Sequence, residues 1–202
     1  MQKTFALIES FNKPLDKTAF FEAKEKYCTS IRTSSFSMLE NTNLIELIET
    51  IKRTLSQIGP YKDLTPFEAL NRIGSDLVLL AGAEKIFNNE IPSIKPKTIL
   101  LNMGNKAGYD VIIETDKGKV YGEAFNAAKS FCKVKMRESI NKLLESSKSE
   151  ERYSQKQRVI FYNEDITDII EAYTNKKEKA TPGVIIHKIP CNYKEVVDFK
   201  DR

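Results

Sequence analysis

The chain has 202 residues, 41% hydrophobic and 30% charged, with a net charge of +4; this suits one ordinary globular domain, alone or with a small helical appendage. The mild excess of positive charge fits a nucleic-acid partner without demanding one. Three widely spaced cysteines exclude a CxxC zinc site and a disulfide framework, and no apolar run approaches the ~20 residues of a membrane span.

Taken in chain order, the N-terminal residues carry too short an apolar stretch for a signal peptide, so the expectation is a soluble, cytoplasmic protein with no membrane partner. Residues 1–59 read as helical. One candidate helix covers 15–27, and a better one covers 43–58, where Leu44, Leu47, Ile48, Ile51, Leu55 and Ile58 recur at helical spacing. Gly59 and Pro60 break the chain and divide an N-terminal helical region, 1–59, from an α/β core, 60–202. Thr65, Pro66 and Glu68 then spell a helix start, with Thr as N-cap, Pro at the first helical position and Glu at the third; that helix should run to about Asn88.

The pattern next changes period. Residues 98–103 read as a strand, and 108–113 and 119–125 as an antiparallel hairpin joined by the Asp/Gly turn 114–118. A helix is expected over 130–146, a polar charged segment over 147–157, a strand over 158–162, a short helix over 166–173 and a last strand over 183–189. This order predicts a mixed α/β sandwich with no internal repeat.

Chemistry enters with the hairpin. Asp110 lies near the start of one strand and Glu123 inside its partner, so the two carboxylates can meet at one edge of a sheet, a hard-oxygen site suited to Mg²⁺. On the long preceding helix, Leu70, Ile73, Leu77, Leu80 and Phe87 mark an apolar stripe that includes Glu84. A buried carboxylate needs a metal or an ion-pair partner, which leaves Glu84 as a third acidic ligand or as half of a salt bridge. Gly82 and Ala83 beside it allow the helix close to the sheet.

The order helix, three strands, helix, strand, together with Asp110 and Glu123, resembles the core of the PD-(D/E)XK nuclease superfamily over about residues 65–162. In that family an Asp opens the second core strand and an acidic-x-Lys motif lies on the third. Asp110 and Glu123 match the acidic positions, whereas Tyr109 stands in place of the Pro before the Asp and Phe125 in place of the Lys. The resemblance implies a restriction-endonuclease-like mixed sheet flanked by helices, with Mg²⁺ held by Asp110, Glu123 and Glu84. The carbonyl of Ala124, next to Glu123, is a further candidate ligand. Some members supply the lysine from the helix after the third strand. Carrying the apolar stripe Met136, Ile140 and Leu143 backward ranks Lys133 first, Lys129 second and Lys135 third. Each can equally be a solvated cation or a phosphate contact.

The implied activity is that of a Mg²⁺-dependent endonuclease of restriction type, acting on double-stranded DNA as a homodimer, with residues 1–59 as the extra surface for dimerisation or DNA contact. The alternatives are a catalytically inactive relative that binds nucleic acid or protein, favoured by Phe125, and an unrelated α/β domain in which Asp110 and Glu123 never meet. The lone His187 has no companions at metal-ligand spacing, and GxSxG, Walker A, GxGxxG and HExxH patterns are missing. The glycine-bounded loop 104–108 reads as a strand connection and Asn126 as a turn residue that can also face the site. The charged stretches 129–137, 148–158 and 176–179 can line a DNA groove, though interspersed glutamates make a solvated face the default reading.

Overall fold

The computed structural model describes residues 7–34, 43–104, 108–145, 157–177 and 186–197. In order these form α1 (Lys17–Arg32), α2 (Leu44–Arg53), β1 (Ser56–Ile58), β2 (Tyr61–Leu64), α3 (Pro66–Phe87), β3 (Pro96–Leu101), β4 (Val111–Thr115) and β5 (Gly118–Phe125). After them come α4 (Cys132–Glu145), β6 (Arg158–Asn163), a 3₁₀ turn (Glu164–Ile166), α5 (Thr167–Lys177), β7 (Ile186–Cys191) and α6 (Tyr193–Val197). The fold is mixed α/β: a five-stranded sheet in the order β3-β4-β5-β6-β7 and a separate β1-β2 hairpin, flanked by helices. The first three strands of the large sheet are antiparallel and the last two join in parallel through helical crossovers. Among the described residues no helix is long and apolar enough to cross a membrane.

Helix α3 begins as its sequence dictates. Thr65 Oγ1 accepts from the Glu68 N–H while the Glu68 carboxylate accepts from the Thr65 N–H, a reciprocal cap that satisfies two of the helix's orphan donors. Its middle turns, from Leu77 to Ala83, are buried all round, because α3 is enclosed by the sheet on one side and by the N-terminal segments on the other. Gly82 sits directly on the ring of Phe161; a Cβ there would lie 2.3 Å from a ring carbon, so this approach of helix to sheet requires glycine. Leu70 departs from the expected stripe and is 47% exposed, since the first turns of α3 run beyond the sheet.

Two apolar layers cover the sheet. Val111, Ile113, Val120, Val159 and Phe161 pack toward α3 and α1, whereas Phe125, Ile160 and Tyr162 pack toward α4 and α5. Ahead of Gly59, Phe11, Leu15, Phe20 and Tyr27 are buried in the first layer. Leu15 also exchanges backbone hydrogen bonds with Ile99, which covers the β3 edge of the sheet.

The expected helix over 43–58 is corrected. It stops at Arg53, and the chain turns through Gly59 and Pro60 to pair Ser56–Ile58 with β2. Apolar residues at 55 and 58 fit a helical period, but Ile58 is buried in the main core through the hairpin and Leu55 is left exposed. The shorter α2 has no buried residue.

Candidate functional site

The hairpin register puts the two acidic residues side by side. Thr115 pairs with Gly118 across a tight turn whose Gly118 has φ +117°, a conformation that favours glycine. The pairing then runs without a bulge to Val111 opposite Gly122, so the next position sets Asp110 opposite Glu123 on one face, where β4 ends. With no strand partner there, the Ala124 N–H donates to Asp110 Oδ2 at 2.8 Å. In an extended strand a residue's N–H and C=O point to the same side, which turns the Ala124 carbonyl toward the same edge. Asn102 fixes the other flank of Asp110: its N–H donates to the Asp110 carbonyl at 2.9 Å and its side-chain amide donates to the Tyr109 carbonyl. Tyr109 packs its ring on Tyr121, with the centroids 4.6 Å apart.

These residues open into a polar cleft of about 330 Å³ whose walls include Asp76, Asn102, Asp110, Glu123, Asn126 and the cleft-facing side of α4. Glu123 is only 5% exposed, and its Oε2 accepts from Lys142 Nζ at 2.7 Å. Its other oxygen, Oε1, is buried and has no hydrogen-bond partner among the described residues. Burial first and the nearby Asp110 charge second push the Glu123 carboxyl up to about 7, with Lys142 opposing both. Asp110 is raised as well, chiefly by burial, against the pull of the Ala124 N–H and of Lys142.

The lysine that reaches Glu123 is Lys142, which is not among the three named from the sequence. Helix α4 runs back antiparallel to β5. Arg158, opposite Tyr121 in the sheet, donates to the Leu143 carbonyl at 3.3 Å, which sets Leu143 level with Tyr121. Helical side chains lean toward the helix N-terminus, so the Lys142 stem climbs from that level toward Glu123. Lys133, nine residues earlier, lies about 180° round the helix from Lys142 and is exposed. Lys135 lines the mouth of the cleft but pairs with Glu138 at 3.1 Å, and Lys129 is exposed ahead of the helix. Phe125 is buried against Tyr162 in the layer under α4 and α5.

Glu84 is not among the cleft residues. Its carboxylate accepts from Lys24 Nζ at 2.7 Å, and that lysine side chain is 2% exposed, so the salt-bridge alternative describes its place in the fold. The α3 carboxylate that does reach the cleft is Asp76, eight residues earlier. Asp76 is 5% exposed and accepts from the hydroxyls of Tyr27 and Tyr61 and, at 3.4 Å, from the Gly104 N–H. It thereby ties α1, the small hairpin and the loop that leads to Asp110. His187 stands away from the cleft, with Nε2 3.2 Å from Ser93 Oγ. The loop positions 105–107 and most of 148–158 and 176–179 lie outside the described residues or have undescribed side chains.

Burial holds the Asp76 carboxyl up at about 6 from its ordinary 3.8. A folded-state pKa above the unfolded one means the native protein binds that proton more tightly. Asp76 thus contributes stability below about pH 4 that is lost as pH rises through about 6. The difference corresponds to about 3 kcal/mol. Urea unfolding of wild type and Asp76→Asn should show the wild-type advantage shrinking by that order between pH 4 and pH 7; a pH-independent difference would contradict the assignment.

Comparison with protein-family models, curated proteins and solved structures finds no match for this chain. The functional reading therefore rests on the residues of the cleft.

A divalent cation fits this donor set. Asp110, Glu123 and the Ala124 carbonyl are all hard oxygens, and Glu123 Oε1 is a buried acceptor awaiting a partner. Among the described residues no three His, Cys, Asp or Glu side chains lie close enough to share an ion, so two carboxylates would carry the site.

Proposed function

We propose that this chain is a Mg²⁺-dependent endonuclease with a PD-(D/E)XK, restriction-endonuclease-like core, which hydrolyses phosphodiester bonds of double-stranded DNA. The observation that carries the reading is the convergence of Asp110, Glu123 and Lys142 in one cleft, with Lys142 supplying from α4 the cation that Phe125 does not supply from β5. Hydrolysis adds water across one P–O ester bond and yields a phosphate monoester and an alcohol. Asp110, Glu123 and the Ala124 carbonyl would hold Mg²⁺, whose chemistry there is to acidify a bound water and neutralise phosphate charge. Lys142 favours the ionised form of Glu123 against burial and Asp110. Its ammonium also reaches the cleft to orient the attacking water and offset charge that grows on the phosphate oxygens. The Ala124 N–H fixes Asp110 Oδ2, and Asn102 fixes the backbone that delivers Asp110, so the acidic edge is preorganised.

Cleavage of mixed plasmid and phage DNA with and without Mg²⁺, wild type beside Glu123→Ala, tests this reading. Discrete fragments that need Mg²⁺ and vanish in the variant are expected. Absence of cleavage with any divalent ion would leave the second reading, a metal-independent nucleic-acid or protein binding module, which Phe125 favours. Cutting both strands of a duplex calls for two such sites, which extends the proposal to a homodimer. Exposed apolar side chains for that contact are available at Leu44, Ile45 and Ile48 of α2 and at Phe67 and Leu70 of α3. A monomeric mass by light scattering would remove the dimer and leave the cleft chemistry intact.

A further inference from the structure

Helix α2 has no buried residue, and it spans only ten residues, a length at which a helix alone in water is marginal. Most helical stability in proteins comes from packing an apolar face. Five of the ten positions in α2 are nevertheless apolar: Leu44, Ile45, Leu47, Ile48 and Ile51. Leu47 and Ile51 are half-buried where α2 leans on α3, whereas Leu44, Ile45 and Ile48 are each more than half exposed. Leu44, Ile48 and Lys52 recur every four residues and form one line along the helix, and Ile45 and Glu49 form the line beside it. The Lys52 ammonium sits 3.6 Å from the centroid of the Phe67 ring, which joins the last turn of α2 to the first turn of α3. Phe67 and, three residues on, Leu70 are themselves exposed, so the apolar face continues across both helices. With Leu55, these make six of the eight large hydrophobic residues exposed among the described residues; the other two stand at the start of α4. Apolar side chains gathered in this way mark a contact surface.

The charges of α2 identify what covers it. Glu46 and Glu49 occupy the first half of the helix and Lys52 and Arg53 its last turn, so two acidic and two basic residues are separated along the axis. Glu49 and Arg53 are exposed and take part in no ion pair among the described residues. A nucleic acid or an anionic membrane would meet the glutamates along with the cations. A second copy of α2 laid antiparallel matches both signs. The acidic half of each helix then runs along the basic turn of the other, and the two helix dipoles oppose. Side chains lean toward their own helix N-terminus, so Lys52 of one copy leans toward Glu49 of the other, and the reverse. A parallel pair would set like charges together. A surface that matches itself is what a two-fold contact requires and what an unrelated partner does not.

We propose that α2 is a self-association surface, which packs antiparallel on α2 of a second copy about a two-fold axis. Leu44, Ile45 and Ile48 form the centre of the contact, and Phe67 and Leu70 widen it. The inference deepens the proposed homodimer and rests on it, not on the chemistry of the cleft. Phe67 lies eight residues ahead of Ser75, which lines the cleft, or about 12 Å along α3. The patch and the cleft thus share one helix without sharing a residue.

Sedimentation equilibrium over a wide range of protein concentration, without DNA or divalent ions, tests this contact. Wild type should form a dimer and no larger species. Ile48→Asp, at a position more than half exposed in the single chain, should fold as wild type does and dimerise about 100-fold more weakly. Glu49→Lys makes these facing charges all basic and Lys52→Glu makes them all acidic, so each variant alone should dimerise roughly ten-fold more weakly. An equimolar mixture of the two should recover wild-type affinity as a heterodimer, an outcome that no loss of folding can imitate. A wild type monomeric at every concentration, an Ile48→Asp variant that dimerises as wild type does, or a mixture no tighter than its components would each overturn the proposal. A monomeric wild type whose affinity for duplex DNA or anionic vesicles falls in Ile48→Asp would also overturn it and assign the face to that occupant. A dimer lost in Ile48→Asp, in a protein that cleaves no DNA with any divalent ion, would support the contact and sink the nuclease reading. Cleavage by a monomeric wild type would do the reverse.

Discussion

Replacing Lys142 by methionine should lower Mg²⁺-dependent cleavage by about 10²- to 10⁴-fold, the range for losing a positioned proton-transfer or charge-stabilising group. Lys133→Met should stay near wild type. Methionine keeps most of the lysine stem and removes only the ammonium, so packing along α4 is little changed. The chemical loss has a second signature. Lys142 is what holds the Glu123 carboxyl down to about 7 against burial and the Asp110 charge. Without it that carboxyl rises further and stays protonated at neutral pH, where a proton competes with the cation for Glu123. The activity of Lys142→Met should therefore recover in part as pH is raised, with the acidic limb of its pH profile shifted upward relative to wild type. A purely structural lysine would lower the melting temperature and leave the shape of that profile alone. Equal losses in Lys142→Met and Lys133→Met, or an unshifted profile, would remove Lys142 from the chemistry.

Why Asp110 and Glu123 were legible, and Lys142 was not, follows from how each is placed. The acidic pair depends on local information. A tight Asp/Gly turn sets the hairpin register, and a two-residue side-chain period then carries that register five residues up each strand without a free parameter. The cap of α3 was local in the same way, written in Thr65, Pro66 and Glu68. Lys142 depends on the height of α4 against β5. That height is set by the connection over 126–131 and by the Asn163 clamp on Ala127, contacts between residues 36 apart. The apolar stripe of α4 gave the buried face but not which turn of the helix stands opposite Glu123. Extending it toward the helix start selected Lys133, which lies on the opposite side of α4 from Lys142. The ambiguity over 55–58 has another origin. Leu55 and Ile58 satisfy a helical period, and a three-residue strand is too short to display its own. Asp76 was hidden because it sits beside Ser75 just ahead of the apolar run 77–83 of α3, where it reads as one more polar position, and its partners Tyr27 and Tyr61 come from two other elements.

Glu84 offers the sharper test of what an apolar stripe can reveal. Glu84→Gln should destabilise the protein by about 3–5 kcal/mol, because it removes the carboxylate that compensates a lysine ammonium 2% exposed in the core. For a domain of this size that is a fall in melting temperature of roughly 6–20 °C. Cleavage per folded molecule should be retained below the new transition, since Glu84 points to Lys24 and not into the cleft with Asp110 and Glu123. Replacing both partners with apolar residues of similar size, Lys24→Met with Glu84→Leu, should recover most of the lost stability. A buried ion pair is costly to break singly but nearly neutral to exchange whole. The nearby Phe21 ring, 5.7 Å from the Lys24 ammonium, would accept the methionine as readily. The opposite outcome, a Glu84→Gln variant that melts like wild type yet no longer binds Mg²⁺ by calorimetry, would return Glu84 to the metal. The pairing with Lys24 would then be what that carboxylate does only while no cation is bound.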